Sequence, residues 1–253
     1  MHEITLLIVG AILGALASKT TEWLFDWYKD SRKQKSPILV KAEDIVAWGW
    51  DGKRLLKELI RLDKKVLGHE LTSESREGTI DQWAPVFMRD TSGWAALAIQ
   101  RKIIGYFSFF ALNARSYEQA EKGQFFDSQV TLETTIPFET PGLYKGYFVL
   151  LGALPDYPVS GRRLLDAFFD EIKVLAERGV FFEEMLANAF TPHGVGICEG
   201  FGMERVCDHA DFGVVYRLRL NPWPSCLDFK KWREIKALYE EKVIAKPQGT
   251  RND

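Results

Sequence analysis

One stretch of the chain shows no alternation of apolar and polar positions: Ile4 to Ala17 (ITLLIVGAILGALA) carries no charge, and its most polar member is Thr5. Beyond it the two kinds interleave, and the period of the interleaving predicts the elements. Arg54 to Leu67 sets Leu55, Leu59, Leu62 and Val66 at helical spacing with charges between them, an amphipathic helix. Trp94 to Ile99 and Ile103 to Phe110 are short runs rich in aromatic and β-branched residues; the polar Gln100-Arg101-Lys102 joins them into a hairpin. Gln129 to Ile136 and Tyr147 to Leu154 read as two further strands, the second apolar on both faces and hence central. Arg162 to Arg178 is a helix with Leu165, Phe168, Phe169, Ile172 and Leu175 on one stripe, stopped by Gly179. There follow a strand at Phe181 to Ala189, a short helix at Gly194 to Phe201 and an alternating strand at Phe212 to Leu220. The charged amphipathic helix Phe229 to Val243 precedes a polar tail, Lys246 to Asp253.

An antiparallel front half followed by a strand–helix–strand crossover predicts an α+β domain. Its mixed, mostly antiparallel central sheet has six or seven strands flanked by helices, preceded by an N-terminal hydrophobic helix. There is no internal repeat and no low-complexity tract. Three segments result: 1–36, the hydrophobic and juxtamembrane part; 37–222, the folded domain; and 223–253, a C-terminal helix and tail.

Composition narrows the function classes. At 253 residues, 46% hydrophobic and 27% charged, the chain can bury one core and carry one appendage, so wholesale disorder is excluded. A net charge of −2 supplies no positive field, and a nucleic-acid partner is not expected. Cys198, Cys207 and Cys226 are too few and too scattered for a disulfide framework or a zinc site, which fits a reducing compartment. No metal is assigned, although Asp208, His209 and Asp211 lie close together in sequence.

The uncharged run covers about 21 Å as a helix against a hydrocarbon core of about 30 Å, so a span requires Ser18 to Phe25 as well. Three readings compete: an anchor, a cleaved signal peptide and a core helix. Ala15-Leu16-Ala17 resembles a cleavage site, but Met1-His2-Glu3 supplies no positive leader. Trp23, Phe25, Trp27 and Tyr28, followed by Arg32, Lys33 and Lys35, favour an anchor through residues 4–28 with the remainder in the cytoplasm. Gly10 and Gly14 form a GxxxG on one helical face, a possible homodimer contact.

Over about Lys41 to Leu220 the chain resembles the GNAT superfamily of acyl-CoA-dependent N-acyltransferases. Three segments carry the likeness in order: IQRKIIGYFSFFAL (Ile99 to Leu112), with Ile104-Gly105-Tyr106 similar to the family's I-V-G-Y; YFVLLGALPDYPVSGRRLL (Tyr147 to Leu165), similar to its strand, phosphate loop and helix start; and LANAFTPHGVGICEGFGMERV (Leu186 to Val206), similar to its strand, short helix and closing G-F/M-E-R-V. The resemblance implies acetyl-CoA or another acyl-CoA as cosubstrate and an amine as acceptor. It also implies a splayed central strand whose main chain near Gly152 and Ala153 holds the pantetheine arm. Val159, Ser160 and Gly161 would then start the helix that receives the pyrophosphate, with Arg162 and Arg163 within reach of phosphate.

The chain departs from the family's Q/R-x-x-G-x-G/A, with Asp156 at the Gln/Arg position and Val159 at the middle glycine. Cys198 stands where many members carry a Tyr as general acid; it is a candidate acid or acyl acceptor, weighed against a packed hydrophobe. Glu133 is the candidate base, with His193 another. Leu71 to Asp90 and Asn113 to Phe126 are expected to line the acceptor site. The leading expectation is a membrane-anchored N-acyltransferase, transferring an acetyl or short acyl group to an amine. A second is a non-catalytic acyl-CoA-sensing or partner-binding module, which the departures favour; a third is a scaffold joined through the GxxxG face.

Overall fold

The structure, a computed structural model, describes residues 36–67, 78–157, 160–221, 223–224 and 230–244. The segment expected to be an anchor, its GxxxG and the polar tail lie outside these residues. Among the described residues, no helix is long and apolar enough to cross a membrane.

The strands are β1 (Ile38–Val40), β2 (Trp94–Ile99), β3 (Lys102–Leu112), β4 (Thr135–Ile136), β5 (Gly142–Ala153), β6 (Val180–Ala189), β7 (Glu204–Asp208) and β8 (Val214–Arg219). Seven form a continuous sheet in the order β1-β2-β3-β5-β6-β8-β7, and β4 pairs with β3. Eight strands replace the expected six or seven, because the short edge strands β1 and β7 carry too few residues to show a period. The predicted class holds: a mixed α+β fold in which only β5 and β6 run parallel, as a helical crossover requires.

Four helices, α1 (Ala42–Ala47), α2 (Gly52–Leu67), α3 (Ile80–Arg89) and α4 (Ala114–Glu121), cover one face. Leu55, Leu59 and Leu62 of α2 pack there with Trp83 and Phe87 of α3 and Tyr117 of α4. The other face is covered by α5 (Ser160–Glu177) and α7 (Lys230–Tyr239), through Leu164, Phe168 and Ile172 and through Trp232, Ile235 and Tyr239. The Tyr239 hydroxyl accepts from the Phe182 amide at 2.8 Å, so the C-terminal helix is tied to β6 in the same core. The short α6 (Pro192–Gly200) follows β6, capped by Thr191, whose hydroxyl accepts from the Gly194 amide.

One predicted strand is corrected. Gln129 to Ile136 forms the end of a 3₁₀ turn, a polar turn and then the two residues of β4. The hydroxyls of Thr131, Thr134 and Thr135 bond backbone groups within the segment, offering the chain a local alternative to a ladder.

Candidate active site

The central strand carries the local irregularity that makes the site. On its β3 side, Ser108 opposes Leu150 and Phe109 opposes Phe148, so Val149 is the extra residue of a β-bulge. On its β6 side the parallel ladder runs from Gly142↔Val180 to Phe148↔Ala187 and goes no further, while Asn188 and Ala189 continue pairing with β8. Residues Val149 to Ala153 therefore hold only to β3, and their β6-facing main-chain groups have no ladder partner. The bulge also breaks the alternation of side chains, so Val149 and Leu150 both face the α2–α3 side. Gly105 permits the β3–β5 contact here, since a Cβ on it would lie 2.8 Å from the Ala153 Cβ and 2.9 Å from the Gly152 carbonyl oxygen.

The splay opens into a cleft of about 140 Å³ between α2, α3 and the sheet. Leu56, Leu59, Trp83, Phe87, Leu150 and Phe190 are among its apolar walls; Asp63, Tyr106, Asp127, Tyr147 and Asn188 bring polar groups to it. Asp63 comes from the last turns of α2, on the same flank as Leu56 and Ile60. The Tyr106 hydroxyl lies 2.8 and 2.9 Å from the two oxygens of the Asp63 carboxylate and donates its hydrogen there. Burial in apolar surroundings pushes the Asp63 carboxyl up to about 7; the Tyr106 hydrogen bond opposes this and the nearby Asp127 charge adds to it. Burial, followed by the adjacent Asp63, holds the Tyr106 phenol far above its usual range, so it stays a donor. Burial, and then Asp127, likewise raises Tyr147, whose ring packs on Phe110 and Phe125. A carboxyl that exchanges its proton near neutrality, beside a splayed strand, can act as a base.

The sequence-predicted residues divide into those near this opening and those elsewhere. Gly152 and Ala153 are the last two residues of β5, on the splayed part. Ser160 and Gly161 begin α5, whereas Val159 lies outside the described residues. The Ser160 amide donates to the Tyr157 carbonyl at 2.9 Å and is spent within the protein, whereas the exposed Arg163 uses Nη1 on the Pro37 carbonyl at 2.5 Å and keeps its charge and its other N–H groups. Gly161 has open space where a Cβ would stand, and the exposed Arg162 makes no ion pair among the described residues. These groups fit an acyl-CoA in part: the strand edge, Gly161, Arg162 and the remaining N–H groups of Arg163 are available, and the Ser160 amide is occupied.

Cys198 is buried in α6 against Ala189 and Tyr216, and burial, with the Glu199 charge adding, pushes its thiol up to about 11. Glu133 stands exposed in the turn before β4 rather than on a strand, and does not line the cleft. His193 is exposed near the start of α6. His209 is held in its turn: Nδ1 accepts from the Asp211 amide, which leaves Nε2 to donate to the Phe125 carbonyl 3.1 Å away. Among the described residues, no group of three or more His, Cys, Asp and Glu side chains is gathered as a metal site needs.

Sequence reasoning missed Asp63, Tyr106, Asp127, Tyr147 and Asn188 as a group. One signal was present: Leu56, Ile60, Asp63 and Leu67 follow helical spacing, which puts a carboxylate on an otherwise apolar flank. Of the segments expected to line the acceptor site, Leu71 to Asp90 supplies Gly78, Trp83 and Phe87. Nothing described between Asn113 and Phe126 reaches the cleft, and Asp127 just beyond does.

No family model matches the chain, and no curated protein matches it in sequence. Similar solved structures include the ribosomal-protein-S18-alanine N-acetyltransferase of Escherichia coli, at 13% identity and TM-score 0.38, over 77% of this chain and 100% of that one. The loading GNATL domain of CurA from Lyngbya majuscula aligns at 13% identity and TM-score 0.43, over 74% and 99%. An acetyltransferase of the GNAT family from Staphylococcus aureus Mu50 aligns at 8% identity and TM-score 0.43, over 73% and 99%. Likenesses of this order leave the activity to be argued from the chain's own residues.

Proposed function

We propose that the protein is an acyl-CoA-dependent N-acyltransferase, moving an acetyl or short acyl group to an amine. The observation that carries this reading is the coincidence of the β5–β6 splay with a cleft holding Asp63, whose carboxyl exchanges its proton at about 7. In this reading the acyl-pantetheine lies along the free edge from Val149 to Ala153, and main-chain N–H groups there polarise the thioester carbonyl. The amine enters from the α2–α3 side. Asp63 takes a proton from the ammonium, the freed lone pair attacks the thioester carbon to form the C–N bond, the C–S bond breaks to release CoA thiolate, and the second proton leaves the nitrogen for that thiolate through water. Tyr106 holds the Asp63 carboxylate in place, so base catalysis rests on Asp63 rather than on Glu133. Cys198 is buried in α6 against Ala189 and Tyr216 and does not line the cleft, so the thiolate takes its proton from the attacking nitrogen through water and not from Cys198.

Acetyl-CoA at 100 times its Kd should stabilise the protein by about 2.7 kcal/mol, read as a rise in Tm. Absence of a shift with any acyl-CoA sinks the proposal. Release of free CoA in the presence of pooled amines then tests turnover, and Asp63→Asn should lower it by about 10²–10⁴-fold. The occupied Ser160 amide and the Asp156 and Val159 departures favour a second reading, a module that senses acyl-CoA without turning it over. Its signature is binding with no CoA release.

The proposal also includes anchoring through residues 4–28 with the domain in the cytoplasm, on the charge asymmetry around that segment. Extraction of the intact chain from membranes by alkaline carbonate would remove the anchor and leave the catalytic reading untouched.

A further inference from the structure

The cleft has a composition that specifies its ligand more narrowly than an amine at large. Its polar groups are dominated by acceptors. Asp63 and Asp127 bring carboxylates, and the one hydroxyl within bonding reach of Asp63, that of Tyr106, is already committed to it. Asn188 also lines the cleft, and its Oδ1 is buried with no hydrogen-bond partner, while its Nδ2 donates to the Phe212 carbonyl at 3.1 Å. A buried acceptor without a donor is costly, and a ligand that brings N–H groups removes the cost. Lys64 is the cleft's basic residue among those described, and it is exposed at the rim.

The rest of the wall is apolar or aromatic. Trp83, Phe87, Tyr147 and Phe190 present rings, and Phe190 stacks on the exposed Phe212, with centroids 6.4 Å apart, at one edge. A volume of about 140 Å³ is close to the roughly 150 Å³ of an apolar cavity that holds one benzene. Aromatic faces and paired carboxylates both attract a cation, and the size limits its body to a single ring or an equivalent aliphatic group.

We infer that the cleft binds a compact primary alkylamine carrying one ring-sized apolar group, taken up as the ammonium ion against Asp63, Asp127 and Asn188. Long polycations and acidic ligands are disfavoured, the first by the apolar walls and the second by the carboxylates. This inference rests on the acyltransferase reading for its biological role, but the amine site stands on the cleft alone.

The test is calorimetric titration of the full chain, without acyl donor, with 2-phenylethylamine, 2-phenylethanol, 3-phenylpropanoate and spermidine. The amine should bind at least tenfold more tightly than the isosteric alcohol, and the carboxylate and spermidine more weakly than the amine. In Asp63→Asn the amine should fall to the level of the alcohol, with the alcohol's own affinity unchanged. Binding of the alcohol, the carboxylate or spermidine as tightly as the amine, or no binding of the amine, overturns the inference. The ligand series on the unsubstituted chain decides the matter even if the variant misfolds. A parallel titration with acetyl-CoA separates the two readings: acetyl-CoA without the amine retains the acyltransferase and removes this site, and the amine without acetyl-CoA does the reverse.

Discussion

Asp63 shows how one side chain couples stability to function. Its folded carboxyl, at about 7, lies above the unfolded value near 3.9, so the folded state binds the proton more tightly. Its contribution is fully present below about pH 4 and is lost as pH rises towards 7, the reverse of a salt-bridged aspartate. About three pH units at 1.36 kcal/mol each set the loss on the order of 4 kcal/mol. Asp63→Asn should therefore be more stable than the parent chain above pH 7 and closer to it at pH 4, as denaturant titrations at the two pH values would record. Turnover in the parent chain should rise with pH through about 7. Cys198 belongs to the same scale with the opposite role: a buried thiol pushed up to about 11 stays protonated, so iodoacetamide at pH 7.5 should modify the more accessible Cys207 ahead of Cys198, by peptide mapping.

Elements here were legible where the period was long and hidden where function or local bonding intruded. The α2 stripe, the β2–β3 hairpin, the central apolar strand, α5 with its stop at Gly179, and the β8 alternation all appear within a few residues of their sequence-predicted bounds. Gly179 has φ of +85°, as a helix-ending glycine should. The hairpin carries a cost the pattern did not reveal: Gln100 and Arg101 have φ of +51° and +63°, a left-handed pair without glycine. Gln100→Asn with Arg101→Gly should raise stability by about 1 kcal/mol, seen as a higher denaturation midpoint with an unchanged slope. The strand expected at Gln129 to Ile136 failed because threonine has a high strand propensity and an equally good local alternative, and there the hydroxyls won. The capped helix α3, with Thr79 accepting from the Gln82 amide, was passed over although it supplies two of the cleft's aromatic walls.

Across the whole molecule, the parallel pair β5–β6 is closed at one end and open at the other. Near the closed end, Lys145 lies 3.1 Å from Glu184, and Arg217 of β8 reaches Glu184 at 3.6 Å and Glu121 of α4 at 2.5 Å. This network joins three strands and a helix where the ladder is continuous, and the bulge at Val149 releases the strands beyond it. Arg217→Met should leave Glu184, only 8% exposed, with Lys145 alone and remove the Glu121 contact, costing about 1–3 kcal/mol by chemical denaturation. The α7 helix adds to the same body through Trp232, Ile235 and Tyr239, so truncation before Lys230 should expose the α5 face.

By itself the sequence determined the class of fold, the order of its principal elements and the centrality of β5, because hydrophobic period is a local property that follows from which face each residue must bury. Its period ended the central strand at Leu154 and began the following helix at Arg162, where the structure has Ala153 and Ser160. Only the tertiary structure decided the site. Asp63, Tyr106, Asp127, Tyr147 and Asn188 are scattered over more than a hundred residues, and only Asp63, on the apolar flank of its helix, stands out in its own segment. A carboxyl becomes a base near neutrality when distant apolar side chains take its water away, and no local pattern in the chain records that desolvation.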